Sequence, residues 1–167
     1  MLGLSKPIDL DGPNEYDLNE QDSYKAIIFL IKEVRGYLRE IENGLKSDHK
    51  LEEATEVQSL KEEFNLEMLK KLKPMNDFVE KYEKYMESAS EDDWEVDNPV
   101  FYTGDILLGF FEGRRVYLKV IQKSLANDNK LNESKKAEFY KNELVNEIIP
   151  KLEKAKKLNA KYEKYLN

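Results

Sequence analysis

An all-α fold, an up-down-up-down four-helix bundle built from two tandem helical hairpins, is the class this sequence predicts. Three observations lead there. Apolar residues recur at three-four spacing over long segments, which places each set on one face of a helix. No segment shows the period-two alternation of a strand. The third observation is a repeat at an offset of 80 residues, Tyr37 falling on Tyr117 (117 − 37 = 80). From Tyr37 to Glu53 and from Tyr117 to Glu133 the copies align without a gap, with eight of seventeen positions identical. Further out, Arg35 falls on Arg115, Glu63 on Glu143, Glu67 on Glu147, and Lys81-Tyr82-Glu83-Lys84-Tyr85 on Lys161-Tyr162-Glu163-Lys164-Tyr165. A match that runs through a turn favours a duplicated hairpin over two helices of similar composition. One apolar stripe per helix cannot be hidden within a single hairpin, so the two are expected to stack.

The chain reads as one helical domain over 1–167. Residues 1–17 are a tail, 18–87 a first hairpin, 88–98 an acidic link and 99–167 a second hairpin. The tail carries Pro7, Gly12 and Pro13 and no sustained period, so it is a loose end or a strap. Asp17, with Glu20 three residues on, has the spacing of a capping box for the first helix. Its stripe is Tyr24, Ile27, Ile28, Ile31, Val34, Leu38, Ile41 and Leu45, and Ser47-Asp48-His49 supplies the turn. The second helix is expected over 51–86, on Leu51, Ala54, Val57, Leu60, Phe64, Met68, Leu72, Met75, Val79 and Tyr82. Pro74 has no N–H to donate and its ring crowds the preceding turn, so a kink or break is expected there. Pro150 sits one turn earlier in the second copy, which predicts bends at similar heights. Asn98-Pro99 makes a helix start, a capping side chain followed by a residue with no N–H to satisfy. The third helix then continues on Leu107, Leu108, Phe111, Val116, Leu118, Ile121 and Leu125 to a turn at Asn127-Asp128-Asn129. The fourth runs from Ser134 on Ala137, Tyr140, Leu144, Ile148, Leu152, Ala155, Leu158 and Tyr162.

Charge and composition narrow the partners. The net charge is −7, and residues 7–23 and 87–98 each hold six carboxylates and no basic residue. Such segments repel duplex nucleic acid and steer a cationic protein. The longest apolar run, Ala26 to Ile31, is too short to span a bilayer, and residues 1–7 lack the apolar core of a signal peptide. No membrane association and a cytoplasmic location are therefore expected. With no cysteine, thiol catalysis is excluded.

Candidate chemistry is sparse, and no cofactor or metal is expected. The single histidine, His49, lies in a turn whose copy is Asn129, without the partners of a triad. Di-iron bundles need Glu-x-x-His pairs, and none occurs. Glu63, Glu67, Glu143 and Glu147 read as a solvated face. Residues 92–97 alternate carboxylates like a calcium loop but lack its glycine and closing glutamate. Gly104, Gly109 and Gly113 fit no phosphate-loop spacing and are expected to permit close helix approach. Arg114-Arg115 beside them suits an anion or, by proximity, the carboxylates of the link.

One feature exceeds the needs of a bundle. Residues 26–31 and 106–111 are apolar around the whole helix. In an antiparallel bundle they share an end with Tyr82, Tyr85, Tyr162, Tyr165 and the link that carries Trp94. A tail folded back through Leu4, Ile8 and Leu10 would cover part of that face. The functional reading is a docking surface for a protein with a basic surface: Phe29, Phe110, the four tyrosines and Trp94 as anchors, Asp92, Asp93 and Glu95 as the charge. A non-enzymatic acidic binding module follows, one that neutralises its partner in the manner of immunity proteins and antitoxins, which share its size and sign. Two alternatives stand beside it. One is a small-ligand-binding or enzymatic bundle with a pocket near the third-helix glycines; the other is a subunit that self-associates through the apolar patches.

Overall fold

A computed structural model describes residues 8–14, 22–90 and 106–166, and every regular element among them is helical. Four helical arms result, as a four-helix bundle requires. The first is α1, Ser23–Ser47. The second comprises α2, Leu51–Glu63, then α3, Leu66–Lys81, ending in a 3-10 turn over Glu83–Ser88. The third is α4, Ile106–Asn127. The fourth comprises α5, Leu131–Glu143, a π-helical turn over Leu144–Ile148, α6, Ile149–Lys161, and a 3-10 turn over Glu163–Tyr165. No described helix is long and apolar enough to cross a membrane.

Local chemistry sets these bounds. Asp22 caps α1 by accepting the Tyr24 N–H at 2.9 Å, so the described helix begins five residues after Asp17, which lies outside the described residues. The two turns close in the same way. His49 and Asn129 both stand at φ 61°, with Lys50 N–H on the Leu45 carbonyl and Lys130 N–H on the Leu125 carbonyl, each at 2.8 Å. This is the Schellman closure, with His and Asn in the left-handed position that glycine more often fills.

The long second helix breaks, but not at its proline. Pro74 lies inside α3. The interruption is ten residues earlier, where Phe64 ends α2 with its N–H on the Lys61 carbonyl and Asn65 caps α3 through Met68 N–H at 3.0 Å. Asn65 offers a side-chain acceptor to the new helix, a positive reason to restart that Pro74 lacks. In the fourth arm the π turn begins at Leu144, which is Phe64 plus 80. Both interruptions thus fall at matching positions, and Pro150 falls just inside α6, next to the wide turn.

The chain packs as two compact units, residues 1–71 with 155–167 and residues 72–154. In the first, Ile27, Ile31, Val34, Leu38, Ile41 and Leu45 of α1 are buried with Ala54, Val57, Leu60 and Phe64 of α2, and Ala155 and Tyr162 of the last arm are buried too. In the second, Leu118, Ile121 and Leu125 of α4 are buried, as are Ala137 and Leu144 of the fourth arm and Met75, Phe78 and Val79 of α3. Leu51, counted in the apolar stripe, is instead 63% exposed at the first position of α2. Leu69 and Phe78 are buried although the stripe omitted them.

Glycine spacing misleads in α4. A Cβ at Gly109 or Gly113 would meet nothing within 4 Å, so no close helix approach explains them. The tight glycine is Gly44, where a Cβ would fall 2.3 Å from the Tyr165 ring. Gly104 lies outside the described residues.

Candidate functional site

Unit 1 is organised around one buried cation. Arg35 donates through Nη1 to the carbonyls of Lys61 and Phe64, at 3.1 and 2.8 Å; the break between α2 and α3 leaves the Phe64 carbonyl without a helical partner, while the Lys61 carbonyl also accepts the Phe64 N–H. Its Nη2 donates to Asp11 Oδ1 at 2.9 Å, and Arg39 reaches the same oxygen. Asp11 belongs to a strap, residues 8–14, laid along α1. The strap is held further by Lys32 Nζ on the Pro13 carbonyl at 2.6 Å and by Asn14 Nδ2 on the Phe29 carbonyl at 3.1 Å. The Arg35 hydrogen bond is the main force holding the Asp11 carboxyl below the usual carboxylate range. A shallow groove of about 460 Å³ opens beside the strap, where Ile8, Leu10 and Arg35 meet Asn65 and Leu66 of the break.

A second buried charge stands further along α1. Burial alone would push Glu42 up, but hydrogen bonds from Lys46 and Lys61, each at 2.8 Å, outweigh it and hold the carboxyl below its ordinary value. At the tip of the same hairpin the Tyr165 hydroxyl donates to Asp48, and this bond pushes the phenol up to about 12. Unit 2 repeats the arrangement 80 residues apart in each partner: Tyr85 donates to Asp128 at 2.7 Å, which raises the Tyr85 phenol.

These contacts relocate the predicted anchors. Tyr82 and Tyr162 are buried core residues rather than docking groups, and Tyr82 packs on Phe78 at 4.8 Å between centroids. Tyr85 and Tyr165 are latched to the hairpin tips. Fifteen residues of α1, ~22 Å of helix, separate Phe29 from Gly44, where Tyr165 sits. The terminal arm therefore ends at the same end of unit 1 as α1. Within unit 1, Tyr165 and Phe29 lie toward opposite ends of α1. Periodicity places residues on a face but does not say which arm covers it. Phe29 stays half-buried, as do Ile28 and Leu30. Phe110 is half-buried too, in edge contact with Phe111 and under the Arg114 guanidinium at 4.6 Å. Trp94, Asp92, Asp93 and Glu95 lie outside the described residues.

The arginine pair also divides. Arg115 pairs within α4, its Nε on Glu112 at 2.5 Å. Burial pushes the Arg114 guanidinium below its ordinary range. Among the described residues no cluster of three metal-ligating side chains occurs. The Arg35–Asp11–Arg39 cluster was missed from sequence, although one signal for it existed. Lys32 falls on Glu112, a charge reversal three residues ahead of the matched arginines. Compared with protein families, curated proteins and solved structures, the chain matches none.

Proposed function

We propose that this chain is a non-enzymatic protein-binding module that engages a partner with a basic surface through the acidic link, and that it neutralises that partner. The observation that carries the reading is where the other acidic segment spends its charge. Of its six carboxylates, Asp9 turns back on the Asp11 N–H, Asp11 is bound by two arginines, and Asp22 caps α1. The segment 87–98, at −6 with no basic residue, is the concentration of negative charge we assign to the partner. Its unique tryptophan supplies an anchor of the kind that dominates interface energetics. The neutralising role rests on size and sign alone, and a cytoplasmic location goes with it.

We also propose that the two halves descend from one duplicated hairpin. In support, the left-handed turn residues, the helix interruptions and the two Tyr–Asp latches all recur at the offset of 80. A self-associating subunit is the second reading, favoured by Phe139 at 63% exposure on α5.

Capture from a cell extract on the immobilised parent chain, beside one carrying Trp94→Ala with Asp92→Asn, Asp93→Asn and Glu95→Gln, tests the proposal. A basic protein held by the parent and lost from the variant supports it. Identical retention on both columns removes the link as the site. Sedimentation over a range of concentrations separates self-association.

A further inference from the structure

The match between the halves fails at one charged position, and the failure has a structural consequence. In unit 2, Glu112 supplies the carboxylate for Arg115 from one turn earlier in the same helix. In unit 1 the equivalent residue is Lys32, a cation (112 − 32 = 80). Lys32, Arg35 and Arg39 therefore stand three and four apart on one face of α1, a basic stripe in a chain of net charge −7. The strap covers that stripe, with Asp11 on both arginines and the Pro13 carbonyl on Lys32.

We propose that the Lys32–Arg35–Arg39 stripe is a binding site for an extended acidic peptide segment, with residues 8–14 as its built-in competitor. The strap is attached in the way an exchangeable ligand is. Among the described residues no backbone–backbone hydrogen bond joins it to a helix, and Asp9, Asp11, Pro13 and Asn14 are exposed. The Arg35 side chain, in contrast, is only 7% exposed. Removing Asp11 without a replacement would leave a buried cation short of its counter-charge, so a displacing segment must bring a carboxylate. Ile8 and Leu10, three and one residues before Asp11, are half-buried beside Leu66, which is 47% exposed. The fitting segment thus has apolar residues three and one positions before its carboxylate. A nucleic acid strand fits less well, because Asp9, Glu62 and Glu67 rim the groove and repel a run of phosphates. This site uses none of the residues of the acidic link and stands whether or not the link binds a basic partner.

The test uses the full chain and an end-blocked, dye-labelled peptide of residues 8–14, read by fluorescence polarisation at low salt. In the parent the tethered strap competes at an effective concentration on the order of millimolar. Asp11→Asn weakens that competitor at an exposed position and should bind the peptide ~tenfold or more tightly than the parent does. Binding should vanish when the peptide's second aspartate becomes asparagine, and should fall when Arg39→Gln is added to Asp11→Asn. Equal or undetectable binding by the parent and Asp11→Asn, or indifference to the peptide carboxylate, overturns the proposal. A single-stranded oligonucleotide that outcompetes the peptide on Asp11→Asn overturns its assignment to peptides.

Discussion

Replacing Arg35 by methionine removes one guanidinium while keeping the length and most of the volume of the side chain. Three acceptors lose a donor, but only the Phe64 carbonyl is left without one: the Lys61 carbonyl keeps the Phe64 N–H and the Asp11 carboxylate keeps Arg39. Asp11 is largely exposed and re-solvates, so its loss contributes little. The Phe64 carbonyl stands at the interrupted end of α2, where an unsatisfied acceptor costs ~1–3 kcal/mol. Water can reach part of this site through the groove, so the lower half of that range applies, ~1–2 kcal/mol. The gain from no longer burying a cation offsets some of it, leaving a net loss of ~1 kcal/mol. Arg35→Lys keeps the charge but cannot fork between two carbonyls and Asp11, and should recover less than half of the loss. Urea unfolding followed by far-ultraviolet circular dichroism measures both variants. A loss below ~0.5 kcal/mol for Arg35→Met would show that the break holds itself, through Asn65 alone, and would refute the reasoning.

Other predictions follow from burial, space and charge. Leu38 and Leu118 are fully buried equivalents, and either one changed to alanine should cost ~2–5 kcal/mol in the same assay. Gly36→Ala meets open space inside α1 and should stabilise by ~1 kcal/mol, the difference in helix propensity. Gly44→Ala drives a methyl into the Tyr165 ring and should be ~1–2 kcal/mol worse than Gly36→Ala, a gap that Tyr165→Ala in the same background should close. Glu42 has a depressed carboxyl pKa, so its contribution is present above the ordinary value of 4.5 and is lost as pH falls through the lower folded value. Glu42→Gln should flatten the acid limb of a stability-versus-pH curve, and an unchanged limb would place the acid sensitivity elsewhere.

The hairpins were legible in the sequence because their signals are local. Three-four spacing fixed the buried faces of α1 and α4, and the turns at Asp48-His49 and Asp128-Asn129 announced themselves by their residues. The break at Phe64-Asn65 was not legible, because Pro74 is the louder signal while the side chains that fix the break, Asn65 and Arg35, lie 30 residues apart. The burial of Tyr82 and Tyr162 and the latching of Tyr85 and Tyr165 depend on which arm covers which hairpin. An apolar stripe carries no such address. The strap was anticipated as a fold-back through Leu4, Ile8 and Leu10; Ile8 and Leu10 are half-buried, Leu4 lies outside the described residues, and polar anchors at Asp11, Pro13 and Asn14 were not foreseen. Of the proposed docking set, Phe29 and Phe110 are half-buried, and Asp92, Asp93, Trp94 and Glu95 lie outside the described residues.

The acidic link is the centre of the functional account, and the rate of partner association tests it most directly. With the captured basic partner in hand, association would be followed from low to high ionic strength for the parent and for the triple amide variant at positions 92, 93 and 95. The account predicts a parent rate that falls steeply with salt, and a variant that starts slower and falls less, because charge in the link steers the encounter. Equal rates with equal salt dependence would contradict it.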